Sequence, residues 1–340
     1  MRKAFLFSFL LVLLAVALVN CGDSRPAIQP VTNSLAFLRE APAGSEGPIQ
    51  PILGTFRGTA FTAQAIKDPS TGKPVTADIH SIILSLDGKK ATFDMWPSAS
   101  TYGRTTQASY WPDVWVANKD GSKLTQITHG ETYVAHPSFS PDSSKVIFLA
   151  SNSSSPYDTM IANIDGSNMV DLTADSPICH HEATFSPDGT KIVFAGHNGG
   201  PSMDIYVMNA DGTQPVNLTN ELTDAVENLL PTFSPDGKQI AFTKVTYGET
   251  LTGDIYVMNS DGTNAAALTT TGLDWYPRYL GKMLTFNSYR DGNMEIYSMA
   301  TDGTSQKRLT NNTVYDAFSA DEFYVGSGLK AQQRLHLQHR

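Results

Sequence analysis

Cysteine is almost absent from this chain. Its 340 residues include two, Cys21 and Cys179, and Cys21 follows directly on an N-terminal apolar segment. A disulfide framework of the kind that holds small secreted domains together is therefore excluded, even in an oxidising compartment. The free energy of folding must come from packing, and Cys179 is expected to be a small buried thiol.

Positive charge is also in short supply. The chain has 24 Lys and Arg against 33 Asp and Glu, which gives a formal net charge of −9 at pH 7. An acidic surface repels phosphate backbones and anionic lipid headgroups. We therefore expect no nucleic-acid partner and no electrostatic docking on a membrane.

The familiar catalytic signatures are missing as well. The chain has no Gly-x-Ser-x-Gly elbow, no Gly-Lys-Ser phosphate-binding loop and no His-Glu-x-x-His zinc motif. These absences argue against the enzyme classes that depend on those motifs. A non-catalytic role is favoured, and an enzyme of another kind is left open.

One long apolar run is present, Ala4–Val19, in which Ser8 is the only polar residue. Its sixteen residues are fewer than the roughly 20 that a membrane-spanning helix needs. Arg2 and Lys3 precede the run, as in the charged start of a secretory signal. We predict that residues 1–20 are a signal peptide.

A block of residues recurs five times along the chain. Each copy has an acid that opens a short apolar strand, an Asp-Gly turn, and a Thr seven residues after the Gly. The copies start at Asp113, Asp158, Asp204, Asp254 and Glu295. The spacing of 41 to 50 residues between copies is that of a repeat architecture. We interpret the opening acids as structural, bonding backbone amides at the strand start.

A second signal lies between these blocks, Phe-Ser-Pro-Asp-Gly followed by an alternating apolar run. Pro presets φ at the second turn position, Asp bonds its own backbone, and Gly takes the positive φ that closes a hairpin. Each repeat is therefore predicted to be four short antiparallel strands, A to D. Full copies start at Phe139, Phe185 and Phe233, and degraded copies start at Leu84, Tyr279 and Phe318.

A unit of this size has two exposed edges and a poor core, so it must stack on its neighbours around an axis. The repeat length is that of a β-propeller blade. The strings Phe-Ser-Pro-Asp-Gly and Ile-Tyr-Val-Met-Asn-x-Asp-Gly-Thr resemble those of the TolB-like β-propellers over about residues 80–320. The α/β domain that precedes the propeller in TolB is not recognisable here.

We predict an all-β propeller of six four-stranded antiparallel blades, with seven left open. The last blade, which begins near Asp316, is short of two strands. Thr59–Ile66 and Lys73–Ala77 can supply them, which would close the ring by pairing the two chain ends. The predicted domains are a signal peptide (1–20), a lipidated Cys and Pro-rich flexible tether (21–55), the propeller (56–328) and a tail (329–340).

The end of the apolar run carries a targeting hypothesis. The string Leu18-Val19-Asn20-Cys21-Gly22 resembles a bacterial lipoprotein signal, which implies lipidation of Cys21. The alternative is an ordinary secreted protein cut nearby. We expect an exported protein of the cell envelope, anchored in the outer membrane and facing the periplasm. The membrane is then a partner only through the N-terminal lipid.

The order of strands decides which face of the ring is available for binding. The A–B and C–D connections are tight turns on one face, while the longer B–C and D–A connections lie on the other. Aromatic residues crowd the first B–C connection and the start of one A strand. The predicted binding residues are Trp96, Tyr102, Tyr110, Trp111, Trp275 and Tyr276. Their packing over a blade edge is the structural alternative.

Histidines precede three consecutive A strands, where they can converge at the channel mouth. Imidazole and carboxylate groups suit a divalent metal ion. The candidate ligands are His80, His136, His181 and Glu182, with His180 as a base or further ligand. The alternative is that these histidines satisfy buried backbone groups between blades, in which case no cofactor is needed.

Two functions follow from these patterns. The first is a non-catalytic envelope scaffold that binds a protein or peptide, or a glycan, on its broad face. The second is a metal-assisted lyase acting on uronate polysaccharide, because some propellers that this chain resembles are such enzymes. The sequence favours the first.

Overall fold

The computed structural model describes residues 10–11, 34–39, 50–57, 60–65, 78–96, 111–130, 132–151, 157–174, 176–200, 202–312 and 316–317. Every regular element within these ranges is a β-strand. No described segment forms a helix long and apolar enough to cross a bilayer. The predicted signal peptide, apart from a two-residue strand, and the predicted tail lie outside these ranges.

Four strands precede the first blade: β1 (Leu10–Leu11), β2 (Ser34–Arg39), β3 (Gln50–Arg57) and β4 (Ala60–Ala65). Strand β3 pairs in antiparallel fashion with both β2 and β4. The prediction of a tether over 21–55 is therefore wrong for β2 and β3. The prolines of this segment lie outside β2, and Pro51 comes near the start of β3, where proline is tolerated.

Five four-stranded antiparallel sheets follow, each a meander in chain order. Blade 1 contains β5 (Asp78–Leu84), β6 (Lys90–Trp96), β7 (Asp113–Asn118) and β8 (Thr125–Gln126). Blade 2 contains β9 (Tyr133–Phe139), β10 (Lys145–Ser151), β11 (Asp158–Asn163) and β12 (Val170–Asp171). Blade 3 contains β13 (Cys179–Phe185), β14 (Lys191–His197), β15 (Asp204–Asn209) and β16 (Val216–Asn217). Blade 4 contains β17 (Val226–Phe233), β18 (Gln239–Thr246), β19 (Thr252–Asn259) and β20 (Ala266–Ala267). Blade 5 contains β21 (Asp274–Leu280), β22 (Met283–Ser288), β23 (Glu295–Ala300) and β24 (Lys307–Arg308).

The two ends of the chain share one further sheet. Strand β25 (Asp316–Ala317) pairs with β2, and the strand order is β25-β2-β1-β3-β4. Strand β2 contacts β5 of blade 1, while β25 contacts β23 of blade 5. The Asp316 amide donates to the Met294 carbonyl over 2.9 Å. The two ends of the chain therefore pair, as predicted, but the partner of the C-terminal strand is β2 and not the predicted Thr59–Ile66.

The predicted count of six four-stranded blades is too high by one within the described residues. There are five such blades, and the sheet between the last and the first has five strands. Only β25 belongs to a copy of the repeat, and the other four strands come from segments that lack it, so the repeat does not set their number. The predicted strand Thr59–Ile66 is present as β4, and Lys73–Ala77 lies outside the described residues.

The core lies between consecutive blades. Val114 and Val116 of blade 1 pack in one buried cluster with Val146 and Phe148 of blade 2. The B strands of blades 2 to 5 place a phenylalanine at the same position, and all four are fully buried: Phe148, Phe194, Phe242 and Phe286. Burying one such side chain stabilises the fold by about 1.5–3 kcal/mol. The apolar runs of the sequence thus hold neighbouring blades together.

The strand-opening acids hold the C and D strands of each blade together. In blade 1 the Thr128 hydroxyl donates to the Asp113 carboxylate over 2.9 Å and accepts from the Val114 amide over 3.0 Å. A backbone amide of the following loop, that of Gly130, also donates to Asp113. The role is structural, as predicted, but the amide at the strand start donates to the Thr hydroxyl and not to the acid. The other pairs are Thr173 with Asp158, Thr219 with Asp204, Thr269 with Asp254 and Thr310 with Glu295.

Candidate functional site

A β-bulge interrupts the A strand of every blade, where the pairing with the B strand shifts register. In four blades a residue other than glycine has a positive φ at the bulge. It always lies three positions before the aromatic residue that precedes the A–B turn. These are His136 (52°), Glu182 (37°), Leu230 (59°) and Tyr276 (61°). A left-handed backbone costs such a residue about 1–2 kcal/mol. Bulges re-aim side chains, and strain of this kind concentrates at functional positions.

The re-aimed residues meet at the centre of the ring. A cavity of about 50 Å³ is lined by A-strand residues of all five blades, among them the four with positive φ. Its polar members are His136, Glu182, Tyr276 and Arg278 together with several hydroxyls. We call this cavity the channel pocket.

Blades 2 and 5 are joined across the channel pocket. The Tyr276 hydroxyl lies 3.2 Å from Nδ1 of His136, and either group can donate, depending on the imidazole tautomer. The Arg278 guanidinium lies 5.4 Å from the centroid of the Tyr276 ring, a distance suited to a cation–π contact. The pocket therefore combines a cation, a carboxylate and a hydrogen-bonded pair that can move a proton.

The predicted metal ligands are only partly brought together. His136 and Glu182 share the channel pocket, whereas the His80 side chain lies outside the described part of the chain. His181 is buried beside Tyr157, and its Nε2 lies 3.7 Å from Sγ of Cys179. Among the described residues no group of three or more His, Cys, Asp and Glu could hold a metal ion. Of the three predicted ligands that are described, His181 therefore lies apart from His136 and Glu182.

His180 takes part in the packing of the blades. It is fully buried, and its ring stacks on Phe194 with centroids 4.1 Å apart. Its two nitrogens lie 3.3 Å from the Thr159 hydroxyl and 3.2 Å from the Ser176 hydroxyl. Burial lowers the pKa of His180 to about 4, so its imidazole is neutral at pH 7.

The predicted aromatic residues separate into two groups. Trp111 is 45% exposed at the B–C face. Trp275 is only 8% exposed and packs against Gly253, where a Cβ would lie 2.6 Å from its indole, so it takes part in blade packing. Tyr276 lies in the channel pocket. The structure does not describe Tyr102, Tyr110 or the side chain of Trp96.

Trp111 begins a line of rings that runs across three blades. Its ring meets Tyr133 edge-on at 5.7 Å, Tyr133 is 5.8 Å from Tyr157, and Tyr157 is 5.1 Å from His181. We call these four residues the aromatic row. Tyr133 and Tyr157 were not among the predicted binding residues. Tyr133 begins the first strand of blade 2, and Tyr157 directly precedes the third strand of that blade.

A second, larger cavity lies at the A–B turns, the opposite end of the channel. Its volume is about 140 Å³, and its wall contains one large apolar residue from the end of each A strand. We call it the turn cavity. The sequence signal for three of the five wall residues is the Phe that precedes a Ser-Pro turn. These wall residues are Leu84, Phe139, Phe185, Phe233 and Tyr279.

Comparison with solved structures shows the same fold in proteins with different names. TolB from Acinetobacter baumannii is 21% identical, with a TM-score of 0.65, and the match covers 84% of this chain and 65% of that one. The chain thus spans just under two thirds of that protein. Hydrazine synthase of Kuenenia stuttgartiensis is 14% identical, with a TM-score of 0.62 and coverage of 89% and 49%. Oligogalacturonate lyase from Vibrio parahaemolyticus is 14% identical, with a TM-score of 0.50 and coverage of 79% and 75%. Similarity at this level shows the fold alone.

A match to a protein-family model identifies the family. No individual curated protein sequence matches the chain. The model of the PD40 family, described as the TolB beta propeller domain, matches residues 88–275, which is more than half of the chain. The matched range runs from the first A–B turn to the A strand of blade 5, so it spans the repeats that build the ring. The chain therefore belongs to the PD40 family of TolB beta propeller domains.

Proposed function

We propose that the chain is an exported scaffold of the cell envelope that binds a protein or peptide on its B–C and D–A face without catalysis. The aromatic row carries this proposal. Trp and Tyr are enriched where binding energy concentrates in protein interfaces, because they bury large areas and lose little conformational freedom.

The packing of the row supports binding by a preorganised surface. Each ring contacts the next, and Trp111 and Tyr133 meet at an interplanar angle of 85°. Such edge-to-face contacts fix the rings before a partner arrives, which reduces the entropy lost on binding. Three rings of the row, those of Trp111, Tyr133 and Tyr157, keep part of their surface exposed, so an extended segment can contact several rings at once.

The first experiment compares two exposed apolar residues. Full-length tagged protein, Trp111→Ala and Met169→Ala are used to recover partners from envelope extract, and the recovered partner is purified for direct titration. Met169 is the matched control because it is 41% exposed, close to the 45% of Trp111, and lies in a C–D turn on the opposite face of the ring. Trp111→Ala should weaken binding at least about tenfold, the effect of losing a residue worth 1.4 kcal/mol.

The control sets the outcome that would contradict the proposal. Met169→Ala should change the dissociation constant less than about twofold, as expected for a residue outside an interface. If Trp111→Ala binds the purified partner as tightly as wild type, the row is not the interface. If no purified partner binds wild type directly, the scaffold function itself fails.

Membrane attachment through Cys21 belongs to the same proposal. The charged start, the apolar run and the Cys at its end support lipidation of that thiol. Metabolic labelling with a clickable fatty acid in a bacterial host should mark wild type, with the label in the membrane fraction. Cys21→Ser should lose the label. A labelled Cys21→Ser protein would contradict the assignment.

A second candidate is elimination on an acidic glycan, favoured by one observation. Arg278, Tyr276 and His136 share the channel pocket, so a carboxylate-binding cation lies beside a pair that can accept a proton. The test is ultraviolet absorbance of unsaturated products from polygalacturonate. His136→Ala should abolish such absorbance. Activity retained in that variant would exclude the pocket as the catalytic site.

A further inference from the structure

Cys179 is the one thiol of the chain apart from Cys21, and neither proposed function uses it. It is partly buried at the start of the A strand of blade 3. Burial raises the pKa of its thiol, so the group is protonated at pH 7 and is a poor nucleophile. The chemistry that remains for it is that of a soft sulfur ligand to a metal ion.

An imidazole nitrogen lies next to this sulfur. Cys179 and His181 are two residues apart on β13, so their side chains project from the same face of the sheet. Nε2 of His181 lies 3.7 Å from Sγ of Cys179. With metal–sulfur and metal–nitrogen bonds of about 2.3 and 2.0 Å, as at zinc sites, this separation corresponds to an angle of about 120° at a shared ion. The pair is therefore spaced as two ligands of a three-coordinate ion.

Packing holds His181 in this position. Its side chain is only 6% exposed, and its ring meets that of Tyr157 edge-on with centroids 5.1 Å apart. Cys179 keeps part of its surface exposed, which gives an ion a path to the pair. Ligands that are fixed before the ion arrives lose little conformational freedom when it binds.

A second imidazole lies close to the thiol. His197 is directly opposite Cys179 in the pairing of β13 with β14, and opposed residues share a face of the sheet. Its Nδ1 is buried and has no hydrogen-bond partner, and a buried polar atom of this kind requires an explanation. The described residues do not place three ligands around one point, so His197 must turn toward the sulfur to reach a bound ion.

The chemistry of these groups favours one ion. Thiolate is a soft ligand that Cu(I) prefers, and imidazole also binds copper. One thiolate and neutral imidazoles leave a Cu(I) complex uncharged, whereas a divalent ion such as Zn(II) would leave a positive charge in a partly buried place, which is costly. A structural zinc site also takes four protein ligands, one more than the three groups described above.

We infer that Cys179 and His181 bind one Cu(I) ion, with His197 as the third ligand. The ion replaces the proton of the thiol, so one proton is released for each ion bound. None of these three residues lines the channel pocket. The site goes beyond the proposed scaffold function and does not depend on it, because ion binding requires no partner protein.

Competition with the Cu(I) chelator bicinchoninate measures the affinity. Full-length Cys21→Ser protein is used, so that Cys179 is the one thiol present, and Cu(I) is supplied under anaerobic conditions with ascorbate. One equivalent of Cu(I) should pass from the coloured chelate to the protein. An excess of Zn(II) of about a hundredfold should not displace it. Displacement by zinc, or no transfer from the chelate, would overturn the inference.

Substitutions in the same background locate the site. Cys179→Ser and His181→Ala should each weaken Cu(I) binding at least about tenfold, and His197→Ala should weaken it severalfold. His129→Ala is the matched control, because it removes an exposed imidazole outside the site, and it should leave the affinity within about twofold. Unchanged affinity in His181→Ala would show that the thiol alone takes up the ion adventitiously and would overturn the inference.

X-ray absorption spectroscopy of the Cu(I)-loaded protein provides a test that needs no substitution in the site, in case a variant does not fold. The nearest neighbours of copper should include one sulfur at about 2.3 Å and imidazole nitrogen at about 2.0 Å. A spectrum that contains no sulfur neighbour, or no imidazole, would overturn the inference.

Discussion

At the scale of single residues, blade 2 differs from its neighbours at Asp171. In three other blades the equivalent D-strand residue donates a hydrogen bond to the strand-opening acid. The donors are Gln126 to Asp113 over 2.9 Å, Asn217 to Asp204 over 2.8 Å and Arg308 to Glu295 over 2.6 Å. Asp171 cannot donate when ionised. Burial, followed by the negative charge of Asp171, raises the pKa of Asp158 to about 6.

The raised pKa of Asp158 makes the free energy of unfolding depend on pH. An aspartate whose pKa is about 6 in the folded state and 3.8 otherwise binds more protons when folded. Stability therefore falls as pH rises between about 4 and 6, and the loss is complete above that window.

We predict that Asp171→Asn stabilises the protein at neutral pH. The amide removes the repulsion and supplies the donor found in blade 3, so the gain should be about 1 kcal/mol at pH 7. The gain should vanish near pH 4, where Asp158 is already protonated. Urea unfolding at both pH values measures it. An equal gain at both would show that Asp158 does not titrate in this window.

Thr219 illustrates the hydroxyl that recurs in every blade. It donates to Asp204 over 2.6 Å and accepts from the Ile205 amide over 3.0 Å. Thr219→Val keeps the shape but leaves both partners short of a hydrogen bond, which should cost about 1–3 kcal/mol in urea unfolding. Thr219→Ser retains the hydroxyl and should cost less than about 1 kcal/mol. Equal losses for the two variants would point to packing instead.

At the scale of elements, the C–D turn joins each blade to the one before it. The turn glycines have φ between 83° and 88° in blades 2 to 5. A Cβ at Gly262 would lie 3.0 Å from the carbonyl oxygen of Leu218, and one at Gly303 would lie 2.9 Å from that of Leu268. The Asp-Gly turn is therefore required by the backbone conformation and by the close approach of the preceding D strand.

Comparing Gly212 with Gly199 separates the effect of the backbone conformation from the effect of the close approach of a neighbouring strand. Both have positive φ, but a Cβ at Gly212 would collide with the backbone of Leu172, while nothing lies within 4 Å of one at Gly199. Gly199→Ala should cost about 1–2 kcal/mol for its backbone conformation alone. Gly212→Ala should cost at least about 2 kcal/mol more, because a packed neighbour must shift. Thermal unfolding measures both, and similar losses would show that the turn accommodates the methyl group.

The elements of the repeat could be predicted from the sequence because turn chemistry and strand periodicity recur together. The bulge could not be predicted, since it adds one residue to a strand and reverses which side chains face the channel. His136 and Glu182 lie at the bulge and line the channel pocket, whereas His180 and His181 precede it and are buried. When the repeats are aligned without the extra residue of the bulge, these three histidines and Glu182 fall into one apparent cluster.

At the scale of the whole molecule, one sheet shared by the two ends of the chain closes the ring. Strand β2 holds β25 in antiparallel register, with Leu38 opposite Ala317 and Arg39 opposite Asp316. The closing sheet could not be predicted in full, because β2 and β3 carry no repeat signature and lie among prolines. What the sequence did indicate was that the chain ends must meet, since the last repeat lacked two strands.

A cross-link between the ends tests this closure. Directly opposed residues of an antiparallel pair have Cα atoms about 4.5–5.5 Å apart, within the range of a disulfide. In a Cys21→Ser, Cys179→Ala background, Leu38→Cys with Ala317→Cys should form a bond on oxidation and stabilise the protein by about 2–4 kcal/mol. Mobility on non-reducing gels and thermal unfolding report both effects. Failure to oxidise, with Leu38→Cys alone as the control, would contradict the register.

At the bulge the backbone conformation stays the same from blade to blade, while the side chain that lines the channel pocket changes. Four blades adopt the same left-handed turn with an imidazole, a carboxylate, an isobutyl group and a phenol, so this backbone conformation accepts side chains of different chemistry. Substitutions at these positions change the lining of the channel pocket. New specificity could be engineered at these four positions, with His136 and Tyr276 varied together because they are hydrogen-bonded.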